Sequence, residues 1–302
     1  MQQKFYSNGK LLLSGEYGIL DGALGLAIPT KYGQSLEVSP TNSSILEWKS
    51  FDADNSQWFE AQFSVPQLEI ISSSDAETSR RLLQILEAAR ALNPSFLAHE
   101  SGIKIETHLT FPRNWGLGTS STLVNNVSNW AQIDAHRLLQ KTFGGSGYDI
   151  SCAQRDHPIL YQIKNNAPEV ELVNFSPSFK DSIFFVFLNE KRNSREAISN
   201  YRKLKFDKSE LVAKLSDITK KMVVSTNLSE FESLMTSHEE ILSKVLEVPT
   251  VKSNLFPDYP GAIKSLGAWG GDFVMVTGTE KEMAYFESKG YKTIIPFSKM
   301  MA

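Results

Sequence analysis

Residues 112–122 read Pro-Arg-Asn-Trp-Gly-Leu-Gly-Thr-Ser-Ser-Thr, two glycines and a run of hydroxyls set directly before an apolar segment, 123–130, that predicts a helix. A half-buried strand over 102–110 precedes them, with Ile103 and Ile105 alternating against Lys104 and Glu106. The chain is therefore required to turn from strand to helix through a glycine-rich loop. A helix N-terminus presents unpaired N–H groups and a partial positive charge. Glycines let backbone approach an anion closely, so such a junction can cradle a phosphate. An ordinary turn with a Ser/Thr cap fits the same residues.

The rest of the chain is punctuated in the same way. Strands are expected over 5–13, 24–38, 44–51 and 58–65, where β-branched and aromatic residues lie between turn signals. A helix over 78–92 places Leu82, Leu83, Leu86 and Ala89 on one face. Beyond Gly144-Gly145-Ser146-Gly147, strands are expected over 159–163 and 183–188. Two amphipathic helices follow, marked by Leu211, Leu215, Ile218 and Met222, then by Phe231, Leu234, His238, Ile241 and Val245. A glycine-rich turn, a strand over 273–277, a helix over 280–288 and a strand over 293–297 complete the pattern. The polar stretch 165–169 suggests a domain boundary, giving domains 1–166 and 167–302.

Composition removes several classes of function. The 302 residues carry a net charge of −3, which provides no basic field for nucleic acid. No apolar run reaches membrane-spanning length, and Leu11-Leu12-Leu13 is cut short by Ser14, Gly15 and Glu16, so neither a membrane span nor a signal peptide is expected. The single cysteine, Cys152, excludes an internal disulfide framework and fits a cytoplasmic setting. Five scattered histidines give no zinc signature.

Three further segments carry chemistry. Ser7-Asn8-Gly9-Lys10 leads through Leu11-Leu12-Leu13 to Ser14-Gly15-Glu16-Tyr17, and Lys10 is a lone charge opening an apolar strand. It needs either an anionic partner or an edge position that reaches water. Gly144-Gly145-Ser146-Gly147-Tyr148-Asp149 delivers a carboxylate on a tight turn, as a proton acceptor or as a helix cap. Ser265-Leu266-Gly267-Ala268-Trp269-Gly270-Gly271-Asp272 precedes an apolar strand, as a tight turn or as an anion-binding nest.

In this order, over roughly residues 5–277, the segments resemble the GHMP kinases, with Gly-Leu-Gly-Thr-Ser-Ser the most specific element. Gly-Lys-Leu, Gly-Glu-Tyr and Gly-Ser-Gly-Tyr-Asp look most like the mevalonate and phosphomevalonate kinase branch. The resemblance implies an α+β GHMP kinase fold, with an N-terminal ribosomal-protein-S5-domain-2-like α/β domain and a C-terminal ferredoxin-like α+β domain. It implies ATP and Mg²⁺ as cofactors, a small-molecule acceptor such as mevalonate or phosphomevalonate, and a place in isoprenoid synthesis; a homodimer is compatible with it. Gly116, Leu117, Gly118, Thr119, Ser120 and Ser121 would hold the ATP phosphates, with Ser120 as a metal ligand. Asp149 and Lys10 would be catalytic. Glu16, Tyr17, Gly147, Tyr148, Gly267, Ala268, Gly270 and Gly271 would line the substrate. No P-loop signature or protein-kinase motif set is present.

The chain departs from the GHMP pattern in two places. Only 31 positions separate Gly118 from Asp149, an interval that in such kinases usually holds a further helix with a glutamate for Mg²⁺; Asp134 is the sole acid in the helical stretch. Trp269 stands where the third motif tends to carry glycine. These departures keep alternatives open: a non-catalytic nucleotide- or metabolite-binding protein of this fold, a diphosphomevalonate decarboxylase, or a homoserine or sugar kinase. The basic run Lys191-Arg192-Asn193-Ser194-Arg195 is either a contact for an anionic acceptor or a solvated turn.

Overall fold

Alternation of apolar and polar side chains makes the first part of the chain a sheet. The computed structural model describes residues 2–99 and 101–302, with strands β1 (Gln3–Ser14), β2 (Gly25–Thr41), β3 (Ile45–Phe51), β4 (Gln57–Ser64) and β5 (Ile70–Ser73). Helix α1 (Ala76–Leu92), strand β6 (Gly102–Leu109) and helices α2 (Thr119–Ala131), α3 (Ala135–Thr142) and α4 (Tyr148–Ala153) follow. The chain divides into two compact units. The first comprises residues through Gly9, Tyr32–Arg113 and Leu117–Gln154; the second comprises Lys10–Lys31, Asn114–Gly116 and Arg155–Ala302.

In the first unit β3, β4 and β5 pair antiparallel in sequence order, and β6 runs parallel to β3 and antiparallel to the second half of β2. Leu36, Leu46, Trp48, Phe59, Phe63 and Ile105 point from these strands into a core closed by the helices. Helix α1 starts at Asp75, whose carboxylate accepts the Thr78 N–H at 2.7 Å. It buries Leu82, Ile85, Leu86 and Ala89, while Leu83 is only half-buried. Helix α2 contributes Val124 and Val127, α3 Leu138 and Leu139, and α4 Ile150.

The second unit adds strands β7 (Ile159–Lys164), β8 (Ala167–Leu172) and β9 (Ile183–Phe187), then helices α5 (Ser194–Lys203), α6 (Lys208–Val224), α7 (Leu228–Leu246) and α8 (Val251–Leu255). Strands β10 (Ile263–Ser265) and β11 (Phe273–Thr277), helix α9 (Ala284–Ser288), strand β12 (Ile294–Pro296) and helix α10 (Phe297–Met300) end it. Residues 25–27 of β2 pair with β7, which pairs with β8. The polar stretch near 165 is the turn of that β7–β8 hairpin: Asn165 and Asn166 both take left-handed backbone, the conformation a two-residue hairpin needs. A second, antiparallel sheet runs β10-β11-β9-β12, and every residue of β9 and β11 is buried.

The two long helices pack as their spacing predicts, with one difference. Leu211, Leu215, Ile218 and Met222 are all buried on α6. On α7 the buried face is Phe231, Met235, His238, Glu239 and Leu242, whereas Leu234, Ile241 and Val245 are half-buried. Two polar side chains, His238 and Glu239, take interior positions because hydrogen-bond partners wait for them there.

Candidate active site

In the first unit, the glycine-rich loop ends at Gly118, whose left-handed backbone (φ 96°) caps α2 with no side-chain hydrogen bond. The Ser/Thr-capped turn that the sequence also allowed is not what forms. Ser121 turns its hydroxyl back to the Gly118 carbonyl (2.9 Å), and Thr122 donates to Gln34 Oε1 (2.8 Å). The hydroxyls of Thr119 and Ser120 are bonded to no other described residue, and Ser120 is exposed. Fully buried Leu117 anchors the loop. A helix start left uncapped in this way keeps its first N–H groups for an anion.

Beneath that helix start lies a neutral polar network. Ser7 donates to Asn126 Oδ1 at 2.7 Å and accepts from Asn125 Nδ2 at 2.9 Å. Asn126 donates to the Gln34 carbonyl at 2.9 Å, and Gln154 donates to Asn125 Oδ1 at 3.2 Å.

Asp149 is likewise not a cap. Gly147 (φ 86°) is the N-cap of α4, and Asp149 sits in the first turn, half-buried, its Oδ1 accepting the Ile150 N–H at 3.0 Å. Tyr148 is half-buried beside it in the chain, and Cys152 is buried as a packed side chain. Gly144 ends α3 by donating its N–H to Leu139 (2.8 Å), so that glycine is a helix stop. Asp134 caps α3 through the Arg137 N–H at 2.7 Å. That is the turn-and-cap role its place in the sequence suggests.

In the second unit, Lys10 is half-buried and donates to the Gly116 carbonyl at 3.0 Å. Gly116 (φ 68°) admits no side chain, because a Cβ there would collide with the Asp272 carboxyl. Asp272 is itself left-handed and buried; its Oδ1 accepts the Arg192 N–H at 3.3 Å, and its own N–H donates to Glu190 at 2.7 Å. Burial pushes its carboxyl up, while Lys10, the Arg192 N–H and Lys191 pull it down. Nothing in the sequence reading assigned Asp272 a role. Its signal was available, an acid closing a glycine-rich turn at the head of a wholly apolar strand.

The third turn is built on the same unit. Gly267 and Gly270 are left-handed, and the Arg192 stem fills the space a Cβ at Gly271 would need. Trp269 does not hang over the turn: its indole N–H donates to the Pro249 carbonyl (3.1 Å), and its backbone N–H donates to the Tyr17 hydroxyl (3.1 Å). Tyr17 is therefore joined to the turn. Glu16 is not on an exposed surface. It is buried, with Oε1 2.6 Å from the ammonium of Lys264, itself 0% exposed. Lys264 went unnoticed although it carries the same signal as Lys10, a lone cation in an apolar strand.

Oxygen donors for Mg²⁺ are sparse. Among the described residues no group of three or more acids, histidines or cysteines could hold a metal. The exposed Ser120 hydroxyl suits an ion that keeps its waters and takes its remaining oxygens from phosphates.

The sequence matches no family model and resembles no curated protein at a significant level. The structure does have counterparts. The Methanococcus jannaschii mevalonate kinase superposes with a TM-score of 0.68 at 16% identity, over 98% of this chain and 97% of that one. The Streptococcus pneumoniae phosphomevalonate kinase, in complex with phosphomevalonate and AMPPNP, gives 0.68 at 14% identity over 95% of each chain. The Lactococcus lactis galactokinase complexed with galactose gives 0.65 at 14%, over 98% of this chain and 94% of that one. The chain has the mixed α/β fold of the GHMP kinases along nearly its whole length. No helix of the described residues is long and apolar enough to cross a membrane.

Proposed function

We propose that this protein is an ATP-dependent phosphotransferase of the GHMP kinase type, acting on a small molecule, with mevalonate or phosphomevalonate as acceptor. The observation that carries the reading is the start of α2. A glycine cap leaves the N–H groups of Thr119, Ser120 and Ser121 without a capping side chain, beside two uncommitted hydroxyls.

In this reading the backbone of Gly116–Ser121 holds the phosphates of ATP, and Ser120 adds its hydroxyl oxygen to the Mg²⁺ shell. The nucleotide supplies the phosphoryl group, and the metal neutralises its charge. Phosphoryl transfer asks little covalent work of a protein, so the side chains position groups and offset charge. Asp149 accepts the proton of the acceptor hydroxyl, or orients an acceptor that is already a phosphate. Lys10 offsets charge on the transferring group. Tyr17, Tyr148 and the Gly267–Gly271 turn contact the acceptor. Phosphomevalonate is favoured over mevalonate by the basic residues beside that turn: the Lys191 charge reaches Asp272, and the Arg192 stem covers Gly271 with its guanidinium 3.3 Å from Glu190.

The test is ADP formation from ATP with mevalonate, phosphomevalonate, homoserine and galactose in turn, with CO₂ release followed in parallel. Activity is expected with one of the first two and without CO₂. With a hydroxyl acceptor, Asp149→Asn should lower kcat by on the order of a hundredfold or more, the usual loss on removing a general base; with a phosphate acceptor, which has no proton to give up, the loss should be smaller. Full activity in that variant would sink the role of Asp149. No ADP formation with any acceptor would sink the kinase reading itself.

A further inference from the structure

The interior of the second unit holds four ionisable side chains that the proposed chemistry does not use. Glu16, His238 and Lys264 are 2%, 0% and 0% exposed, and Glu239 is 2% exposed. Ordinarily none of these types is buried without a partner. Lys264, on β10, donates to Glu16 Oε1 at 2.6 Å and to the Ser265 carbonyl at 3.0 Å. Ser265, the next residue, donates its hydroxyl to Glu239 Oε2 at 3.2 Å. His238 accepts the Gly15 N–H on Nε2 at 3.0 Å, so burial and the Lys264 charge hold this imidazole neutral with its proton on Nδ1. Glu16 Oε2 lies 3.2 Å from the same Nε2 and gains no hydrogen bond from it, since both atoms are acceptors.

These contacts are linked to the Gly267–Gly271 turn at two points. Ser265 stands two residues before it. Glu16 is the chain neighbour of Tyr17, which accepts the Trp269 N–H from within the turn. Among the described residues of this cluster Lys264 is the only cation, and the charges of Glu16 and Glu239 act on it. Burial pushes the Glu16 carboxyl up as well, with Lys264 opposing it, but Glu16 is the one that touches the ammonium, at 2.6 Å. Charge balance is met when Glu16 is ionised and Glu239 keeps its proton, with Glu239 Oε1 left without a protein partner.

We propose that Lys264 and Glu239 are positioning residues for the Gly267–Gly271 turn, Lys264 acting through Glu16 and Tyr17 and Glu239 acting through Ser265. The functional meaning of this rests on reading that turn as acceptor-binding. Loss of the Glu239 proton to solvent places a second negative charge beside a single ammonium in a dry interior. The turn is then no longer held in one arrangement. The charged groups acting on Glu239 are Lys264 on β10 and Glu16, two residues past the end of β1; neutral His238 is its neighbour on α7. Burial, the largest influence, pushes the Glu239 carboxyl up to about 8, with Lys264 opposing and Glu16 reinforcing.

Trp269 gives the readout, because its indole is partly buried among Tyr17, Leu215, Leu242 and their neighbours. Its emission is the difference between the parent protein and Trp269→Phe, followed from pH 6 to 9.5. The parent is expected to show an inflection near pH 8, and Glu239→Gln is expected to lack it. Ser265→Ala, which leaves Glu239 titrating but cuts its link to the turn, should lose most of the amplitude. An inflection kept at full size in Glu239→Gln, or none in the parent, overturns the proposal. This measurement needs no turnover, so a protein that transfers phosphate to nothing would fail the kinase reading while the titration still decides the positioning role.

Discussion

Two buried polar clusters lie under the glycine-rich segments of this chain, and they are built from opposite materials. The cluster beneath the start of α2 is neutral: Ser7, Gln34, Thr122, Asn125 and Asn126 pass hydrogen bonds among amides and hydroxyls, and none of their buried side-chain atoms is left without a partner among the described residues. The cluster beneath the third turn is ionic, and Glu16 Oε2, His238 Nδ1 and Glu239 Oε1 have no hydrogen-bond partner. A closed neutral network asks only for the right shapes, because nothing in it titrates near neutral pH. An ionic cluster asks for charge balance, and that changes with protons. The difference predicts one rigid helix start and one turn that responds to pH.

The sharpest way to break the comparison is to remove the cation. Lys264→Met leaves Glu16 in a dry interior without its counter-charge, which should cost about 3–5 kcal/mol in urea unfolding at pH 7. Adding Glu16→Gln should recover most of that loss, since two neutral side chains of similar size no longer strand a charge. A loss under about 1 kcal/mol in the single variant would mean that the pair is not desolvated as its burial indicates.

Glu239→Gln tests the other half of the ionic cluster with the opposite sign. The Glu239 carboxyl is held up to about 8 in the folded chain, against an ordinary value of 4.5. Between those pH values the folded chain keeps a proton that the unfolded chain has released, so stability falls as pH rises through this window. The variant is spared that fall. It should be as stable as the parent near pH 4.5 and more stable by on the order of 5 kcal/mol at pH 8.5. Equal stability of the two proteins at pH 8.5 would contradict the charge-balance account.

The neutral and ionic clusters were not equally legible in the sequence. The loop before α2 announced itself, and its glycines caused the left-handed cap that excludes a serine cap. The strand alternation and the α6 face were also readable, because periodicity is a local property. The α7 face was legible only in part: Phe231 and His238 are buried as their spacing predicts, but Glu239 finds a partner inside in Ser265, and the buried stripe takes in Met235 and Leu242 in place of Leu234, Ile241 and Val245. Glu16 read as a substrate-lining residue, and its buried ion pair stayed hidden because its partner lies 248 positions away. The Asn165-Asn166 hairpin passed for a linker because polar turns and boundaries share a composition. Asp272 could have been singled out, but only the collision it would make with a side chain at 116 reveals what it does.

The smallest effect, and the control for the others, is Ser7→Ala in the neutral network. The substitution removes a hydroxyl that donates to Asn126 Oδ1 and accepts from Asn125 Nδ2. Both amides keep other bonds, Asn126 to the Gln34 carbonyl and Asn125 to Gln154. The network is thus thinned without stranding a charge. The cost should be about 1–2 kcal/mol, within the range for one buried hydrogen-bonding group lost among neutral partners. That cost should be the same at pH 6 and pH 9, because no group in the network changes charge across the window. Unfolding curves of the parent and Ser7→Ala at the two pH values read this directly. A loss that grew or shrank by more than about 1 kcal/mol between them would show that the two clusters are coupled, and the contrast between a pH-blind helix start and a pH-responsive turn would fail.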